Sequence, residues 1–354
     1  MGVGGRSAST EALRRGEGED GAMIGPRRPR EQTWKHGYSF LRIFIQCHFE
    51  KGRSSPGKYL PSRGPEGKIP PMLFRDRFDG TRLRLPAFNA ILPYLMKGRN
   101  GSAVYFGKDI EVENAMRYVH RKNAEAGNNR FSLFGLILAA GARTFFEKPD
   151  LNRFILGKAA YAHRETSFSF VVKKKLSEDA AESIAKVRFE AADTVFEMMD
   201  RINEAIEFAK SEKKGADDLE IELAHRIPFG KAIVTGAFRL LDGLNIAPIS
   251  MLRADPLYTS AFFANLGSIG LDAPFHHLYE WGTASLFVVL GRTFQKDVRI
   301  GDGSLVRRTH IGLRATVDER ISEGIYFAHA AALFQRYVQK PELLEGPPNL
   351  PEPR

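Results

Sequence analysis

Two stretches of the chain hold side chains able to move a proton. Pro274-Phe275-His276-His277-Leu278-Tyr279 sets two imidazoles side by side. Imidazole titrates close to neutrality, so either ring can serve as base or acid. In Val317-Asp318-Glu319-Arg320-Ile321-Ser322-Glu323-Gly324, the carboxylates of Glu319 and Glu323 flank a basic residue ahead of a glycine. A free Glu has a pKa of ~4.3 and a thiol ~8.5. Glu319 therefore suits thiol activation only if burial raises it. The competing reading is structural: Glu319 pairs with Arg320 or another nearby basic group, and one His is a hydrogen-bonded packing residue beside Trp281. Adjacent histidines rarely ligate one ion, and no Cys or acidic pattern joins them, so no metal is expected. His329 falls on the helix after Gly324 and reads as a surface residue. Lys173-Lys174-Lys175 could meet phosphates, although a charge run at a strand end is usually a solvated face.

The elements that must position these residues follow from periodicity. Ala103–Phe106, Ser167–Val172, Ala185–Phe189, Ala261–Phe263, Leu286–Leu290 and Ile311–Val317 read as strands. Val298–Val306, with Gly301-Asp302-Gly303 at its centre, reads as a hairpin. Helical spacing is expected over Ile110–Ala126, Phe131–Phe146, Thr194–Ala209, Leu219–Arg226 and Lys231–Leu244. Another amphipathic helix, Ile325–Val338, follows the turn at Gly324. Lys148-Pro149 ends the second of these helices, because proline cannot continue one. Strands and helices alternate irregularly, which fits a mixed α+β fold better than a doubly wound parallel sheet.

Composition narrows the class. The chain has 354 residues, 43% hydrophobic and 27% charged, as is ordinary for a globular protein. The one cysteine, Cys47, excludes an internal disulfide framework. The net charge is +10, but residues 1–71 hold 13 Lys and Arg against seven Asp and Glu. Much of the basicity is thus a property of the N-terminal stretch, and nucleic-acid binding is not expected. That stretch is rich in Gly, Pro, Ser and Arg and is expected to be mostly disordered. Its Phe40–Ile45 patch reads as a docking strand or short helix; alternatively, translation starts at Met72. The folded part is expected over residues 72–354. No apolar run approaches the ~20 residues of a bilayer span and no signal-peptide layout is present, so a cytoplasmic protein is expected.

Two segments carry a resemblance: Phe262-Phe263-Ala264-Asn265-Leu266-Gly267-Ser268-Ile269-Gly270, and the run from Asp318 through Gly324 to Pro341-Glu342-Leu343-Leu344. Together they resemble the active-site segments of the dihydrolipoyl acyltransferase catalytic domain and its relative chloramphenicol acetyltransferase. The likeness spans about residues 85–345. It implies a two-layer, mixed-sheet α+β fold, a homotrimer with sites between subunits, and coenzyme A or an acyl-CoA as substrate. With no lipoyl-bearing module upstream, the chain resembles a free-standing relative. In that family a His in D-H-R-x-x-D-G deprotonates a thiol, a Ser or Thr hydroxyl steadies the oxyanion, and the Asp of D-G forms a structural salt bridge. Here Glu319 stands at the His position, Glu323 at the Asp position and Ala264 at the hydroxyl position. The resemblance leaves Asn265 or Ser268 as substitute oxyanion donors, Arg99 as a partner for Glu323, and His276 or His277 as the base preferred over Glu319. The alternative is a catalytically inactive trimeric scaffold or small-molecule binder of the same fold.

Overall fold

The computed structural model describes residues 76–173, 182–211, 230–247, 252, 253 and 255–351. The expected helix at Leu219–Arg226, the patch Phe40–Ile45 and Lys174 and Lys175 lie outside the described residues. The chain divides into Met1–Gly57 and Lys58–Arg354, and every described residue belongs to the second unit. Its elements run β1 (Gly80–Arg82), α1 (Ala87–Leu95), β2 (Ala103–Glu111), α2 (Glu113–Ala126), α3 (Leu133–Glu147), β3 (Arg153–Leu156), β4 (Ala159–His163), β5 (Thr166–Lys173) and β6 (Glu182–Phe189). They continue with α4 (Val195–Ser211), α5 (Gly230–Gly243), β7 (Ala261–Asn265), β8 (Leu286–Arg299), β9 (Leu305–Asp318) and α6 (Gly324–Gln339).

Six strands form one mixed sheet in the order β2-β9-β8-β7-β5-β6. β7 lies parallel to β5 and β8, and the other pairs are antiparallel. Alternation along each strand sends successive side chains to opposite faces. Phe168, Phe170, Phe263, Val288, Leu290, Ile311 and Val317 join one core with residues of α2, α3, α4 and α6. Burying each large apolar side chain contributes roughly 1.5–3 kcal/mol. On the opposite face, Phe262, Phe287 and Val289 are covered by Leu278. This is the expected α+β architecture, with α2, α3, α4 and α6 against one side of a mixed sheet.

Local chemistry explains several boundaries. Ser132 caps α3 by accepting the Gly135 N–H at 3.0 Å. The helix ends at Lys148, ahead of Pro149. Its interior is buried on almost every side, which accounts for its apolar sequence. One expectation shifts: Ile110 and Glu111 are strand, not the start of α2, because β2 stays paired with β9 as far as Glu111 opposite His310. Sheet pairing overrides the local helical spacing there. A small second sheet, β1-β4-β3, escaped the periodicity reading because its strands have only three to five residues.

Candidate functional site

The turn after β9 is built on a buried ion pair. Asp318 accepts from the Arg320 Nε at 2.8 Å and from its Nη2 at 2.7 Å. Both residues are buried, and the Arg320 backbone N–H also reaches Asp318 Oδ1 at 3.1 Å. Arg320 therefore pairs with Asp318, which corrects the expectation that it pairs with Glu319. Glu319 projects to the surface, and among the described residues its carboxylate has no hydrogen-bond or ion-pair partner. Desolvation by the surrounding chain, and then the Asp318 charge, raise its pKa. That is the direction a carboxylate base needs.

Glu323 borders a polar cleft of about 180 Å³, together with Asn89, Asp150, Arg153, Ser322 and Tyr326. The cleft wall is tied across the turn. Arg153 pairs with Asp150 and donates to the Ile321 carbonyl at 3.2 Å, and the Tyr326 hydroxyl accepts the Asp150 N–H at 3.0 Å. Asp150, Arg153 and Tyr326 were not read as site residues from the sequence. The Pro-Asp-Leu-Asn junction that carries the first of them was visible, but its position beneath the distant turn was not.

Arg99 does not pair with Glu323. Its buried guanidinium donates to the carbonyls of Tyr279, Trp281 and Gly282 at 2.9, 3.4 and 2.5 Å. The Glu280 carboxylate accepts the backbone N–H groups of Arg99 and Asn100 at 3.0 and 2.9 Å. Burial lowers the Arg99 pKa, against the opposing pull of Asp318. This arginine holds the 279–282 segment in place.

The two histidines lie just ahead of that segment. The Thr316 hydroxyl, on the helix-free face of β9, donates to the His276 carbonyl at 2.6 Å. The His276 ring stacks on Phe287 with centroids 4.0 Å apart, and His277 stacks on His276 at 4.4 Å. His276 is half-buried and His277 exposed. The packing partners of His276 are thus Phe287 and Tyr279. Trp281, expected beside a histidine, instead stacks on Phe238 and donates to Asp255 at 2.6 Å. His276 Nδ1 lies 2.7 Å from the His277 carbonyl. A carbonyl only accepts, so Nδ1 carries the proton and Nε2 of the neutral ring keeps its lone pair.

Asn265 and Ser268 lie elsewhere. Asn265 pairs with Leu290, which pairs with Leu313. Asp318 is five residues further along β9, about 17 Å away at the rise of a strand. Asn265 follows Phe263 on the helix-covered face, whereas Ala264 packs with the Phe262–Phe287 cluster on the other. The Ser268 hydroxyl donates to the Asn265 carbonyl at 2.8 Å. The Asn265 side-chain amide makes no hydrogen bond among the described residues. Both residues line a second cavity of about 170 Å³. The predicted residues thus fall into separate groups: Glu319 and Glu323 at one end of the sheet, His276 and His277 on its helix-free face, and Asn265 and Ser268 at the other end of the strands. A single chain does not bring base and oxyanion donor to one carbonyl. Among the described residues no cluster of His, Cys, Asp and Glu could hold a metal ion, and no helix is long and apolar enough to cross a membrane.

No protein-family model matches the chain, and no curated protein matches it. Solved structures with a similar fold include the dihydrolipoamide acetyltransferase of Azotobacter vinelandii, 16% identical over 74% of this chain and 93% of that one, with a TM-score of 0.49. A truncated catalytic core of the 2-oxoacid dehydrogenase multienzyme complex from Thermoplasma acidophilum is 11% identical over 73% and 97%, at 0.46. Chloramphenicol acetyltransferase is similar at 11% identity over 73% and 94%, with a TM-score of 0.43.

Proposed function

We propose that this protein is a thioester-dependent acyltransferase that uses a coenzyme A-type donor, with each site completed between copies of a cytoplasmic homotrimer. The observation that carries the reading is His276. Its Nδ1 is committed to a backbone carbonyl, its ring rests on Phe287, and its Nε2 is left positioned to accept a proton. In this reading Nε2 takes the proton of the attacking nucleophile, and the nucleophile adds to the thioester carbonyl. The tetrahedral oxyanion is held by the Asn265 amide, supplied by another copy. Collapse expels the thiolate, which takes the proton back from His276. Glu319, unpaired and raised in pKa, is the competing base. Glu323 belongs to the turn that orders this end of the sheet.

The test is acyl transfer from a panel of acyl-CoA donors to thiol and amine acceptors, by wild type, His276→Ala, His277→Ala and Glu319→Gln. Circular dichroism checks folding and light scattering the assembly. We expect His276→Ala to lose ~10²–10⁴ in rate, the usual cost of removing a general base. Loss of turnover in Glu319→Gln alone would transfer the base role to the carboxylate. A clean monomer at micromolar concentration would remove the shared-site reading. A second reading, a trimeric scaffold or small-molecule binder without turnover, is favoured by Ala264, which puts a methyl where the resemblance calls for a hydroxyl. It gains the case if a folded trimer transfers no acyl group.

A further inference from the structure

The cavity at the end of β7 has walls that its polar residues do not explain. Leu133, Phe134 and Ile137 of α3 form one side, and Leu290 and Ile311 of the sheet form the other. β8 carries a bulge here: three steps from Leu290 to Thr293 oppose two steps from Leu313 to Ile311. The extra residue bends the strand, and Gly291 within it offers no side chain to fill the space. Glycine is also required at the rim. A Cβ on Gly267 would lie 2.4 Å from the Gly291 carbonyl oxygen, and one on Gly291 would lie 2.5 Å from the Ala273 backbone nitrogen. Backbone therefore meets backbone around the cavity, and the void is fixed by steric limits that side-chain rotation cannot relieve. At its edge are Asn265, whose amide is unpartnered among the described residues, and the exposed Thr293.

Five apolar side chains and one free amide, with Ser268, Thr293 and the Asp272-paired Arg292 also in the lining, describe a site for a short hydrocarbon ending in a hydrogen-bond acceptor. A dry cavity of about 150 Å³ lined by Leu, Ile and Phe takes one benzene, so about 170 Å³ accommodates roughly six carbons. We infer that this cavity receives the aliphatic chain of a short acyl group, with the acyl carbonyl accepting from the Asn265 Nδ2. Assigning that acyl group to a thioester rests on the acyl-transfer reading above; the pocket's preference for a chain of this length does not.

Calorimetry on the full-length protein tests it, with acetyl-CoA, butanoyl-CoA, hexanoyl-CoA, dodecanoyl-CoA, free coenzyme A and hexanoate as probes. Affinity should rise by up to ~4-fold per methylene added and stop rising near six carbons. Thr293→Trp and Leu133→Trp, which close the cavity from opposite walls, should each abolish that rise, so that hexanoyl-CoA binds no better than acetyl-CoA. Asn265→Leu should weaken all acylated probes by ~3–10-fold, the worth of one hydrogen bond. Circular dichroism confirms that each variant folds, and two filling variants guard against the failure of one. Equal affinity for acetyl-CoA and hexanoyl-CoA, a rise that survives both Trp variants, or no binding by any probe overturns the inference. Hexanoate binding that is lost in both Trp variants supports the pocket, with the free acid as its ligand. Chain-length-dependent binding without turnover upholds the pocket and removes the acyltransferase. Turnover indifferent to chain length does the reverse.

Discussion

The two cavities are of nearly equal size and are held open by opposite means. The cleft beside Glu323 is framed by charge: Asp150 with Arg153 and Tyr326 in its wall, and the buried Asp318–Arg320 pair in the turn that leads into Ile321, Ser322 and Glu323. The cavity beside Asn265 is framed by shape, through Gly267 against Gly291 and a bulge that leaves space beneath α3. Charge-framed structure answers to pH and to removal of one partner. Shape-framed structure answers to volume. If that contrast is right, perturbations of one kind should spare the other cavity.

The largest effect is expected at the charged end. Asp318→Asn leaves Arg320 buried without its counter-charge and removes the carboxylate that also offsets Arg99. Losing one partner of a buried pair costs ~3–5 kcal/mol, measured as a fall in urea midpoint at constant m. A change below ~1 kcal/mol would mean that the pair is solvated and the comparison wrong.

Acid should act next, and on the same end. His163 of β4 hydrogen-bonds the Asn152 carbonyl at 3.2 Å, beside Arg153 of the charged cleft. Burial pushes its pKa down to about 3. The folded state therefore binds this proton less readily than the unfolded chain, whose histidine titrates near 6.5. Its contribution to stability is complete above ~pH 6.5 and is lost progressively as pH falls toward 3, on the order of 3 kcal/mol by pH 4. His163→Phe, which cannot titrate, should flatten that stretch of the stability–pH curve, and an unchanged slope would count against it.

At the shape-framed end, Gly267→Ala forces a methyl against the Gly291 carbonyl and should cost ~1–3 kcal/mol. It should disturb ligand binding there without altering the pH profile. The smallest effect is expected at Glu319, whose raised pKa works against stability. The ionised form is disfavoured in the folded protein, so a small cost appears as pH rises through the folded pKa and is absent below the unfolded one. Because solvent reaches this side chain, Glu319→Gln should be more stable than wild type at pH 7 by less than ~1 kcal/mol. The gain should vanish near pH 4; a loss of stability at pH 7 would reveal a favourable partner for the carboxylate.

Much of the fold was legible in the sequence because its signals are local. The apolar run of α3 stops at proline, the β8–β9 hairpin turns on Gly301-Asp302-Gly303, and Gly324 opens α6. Those patterns, with the two glycine-bearing segments, sufficed for a mixed-sheet α+β fold and drew attention to both cavities, since Glu323 lines one and Asn265 and Ser268 line the other. Tertiary structure decided what each residue faces. Strand register put Asn265 and His276 on opposite faces of the sheet. Competition among neighbours gave Arg320 to Asp318 instead of Glu319, and Arg99 to three carbonyls instead of Glu323. The one-residue bulge that opens the apolar cavity appears only when β8 is laid against β9. Each of these outcomes depends on residues far apart in the chain, where burial makes the best available partner decisive and sequence spacing is silent.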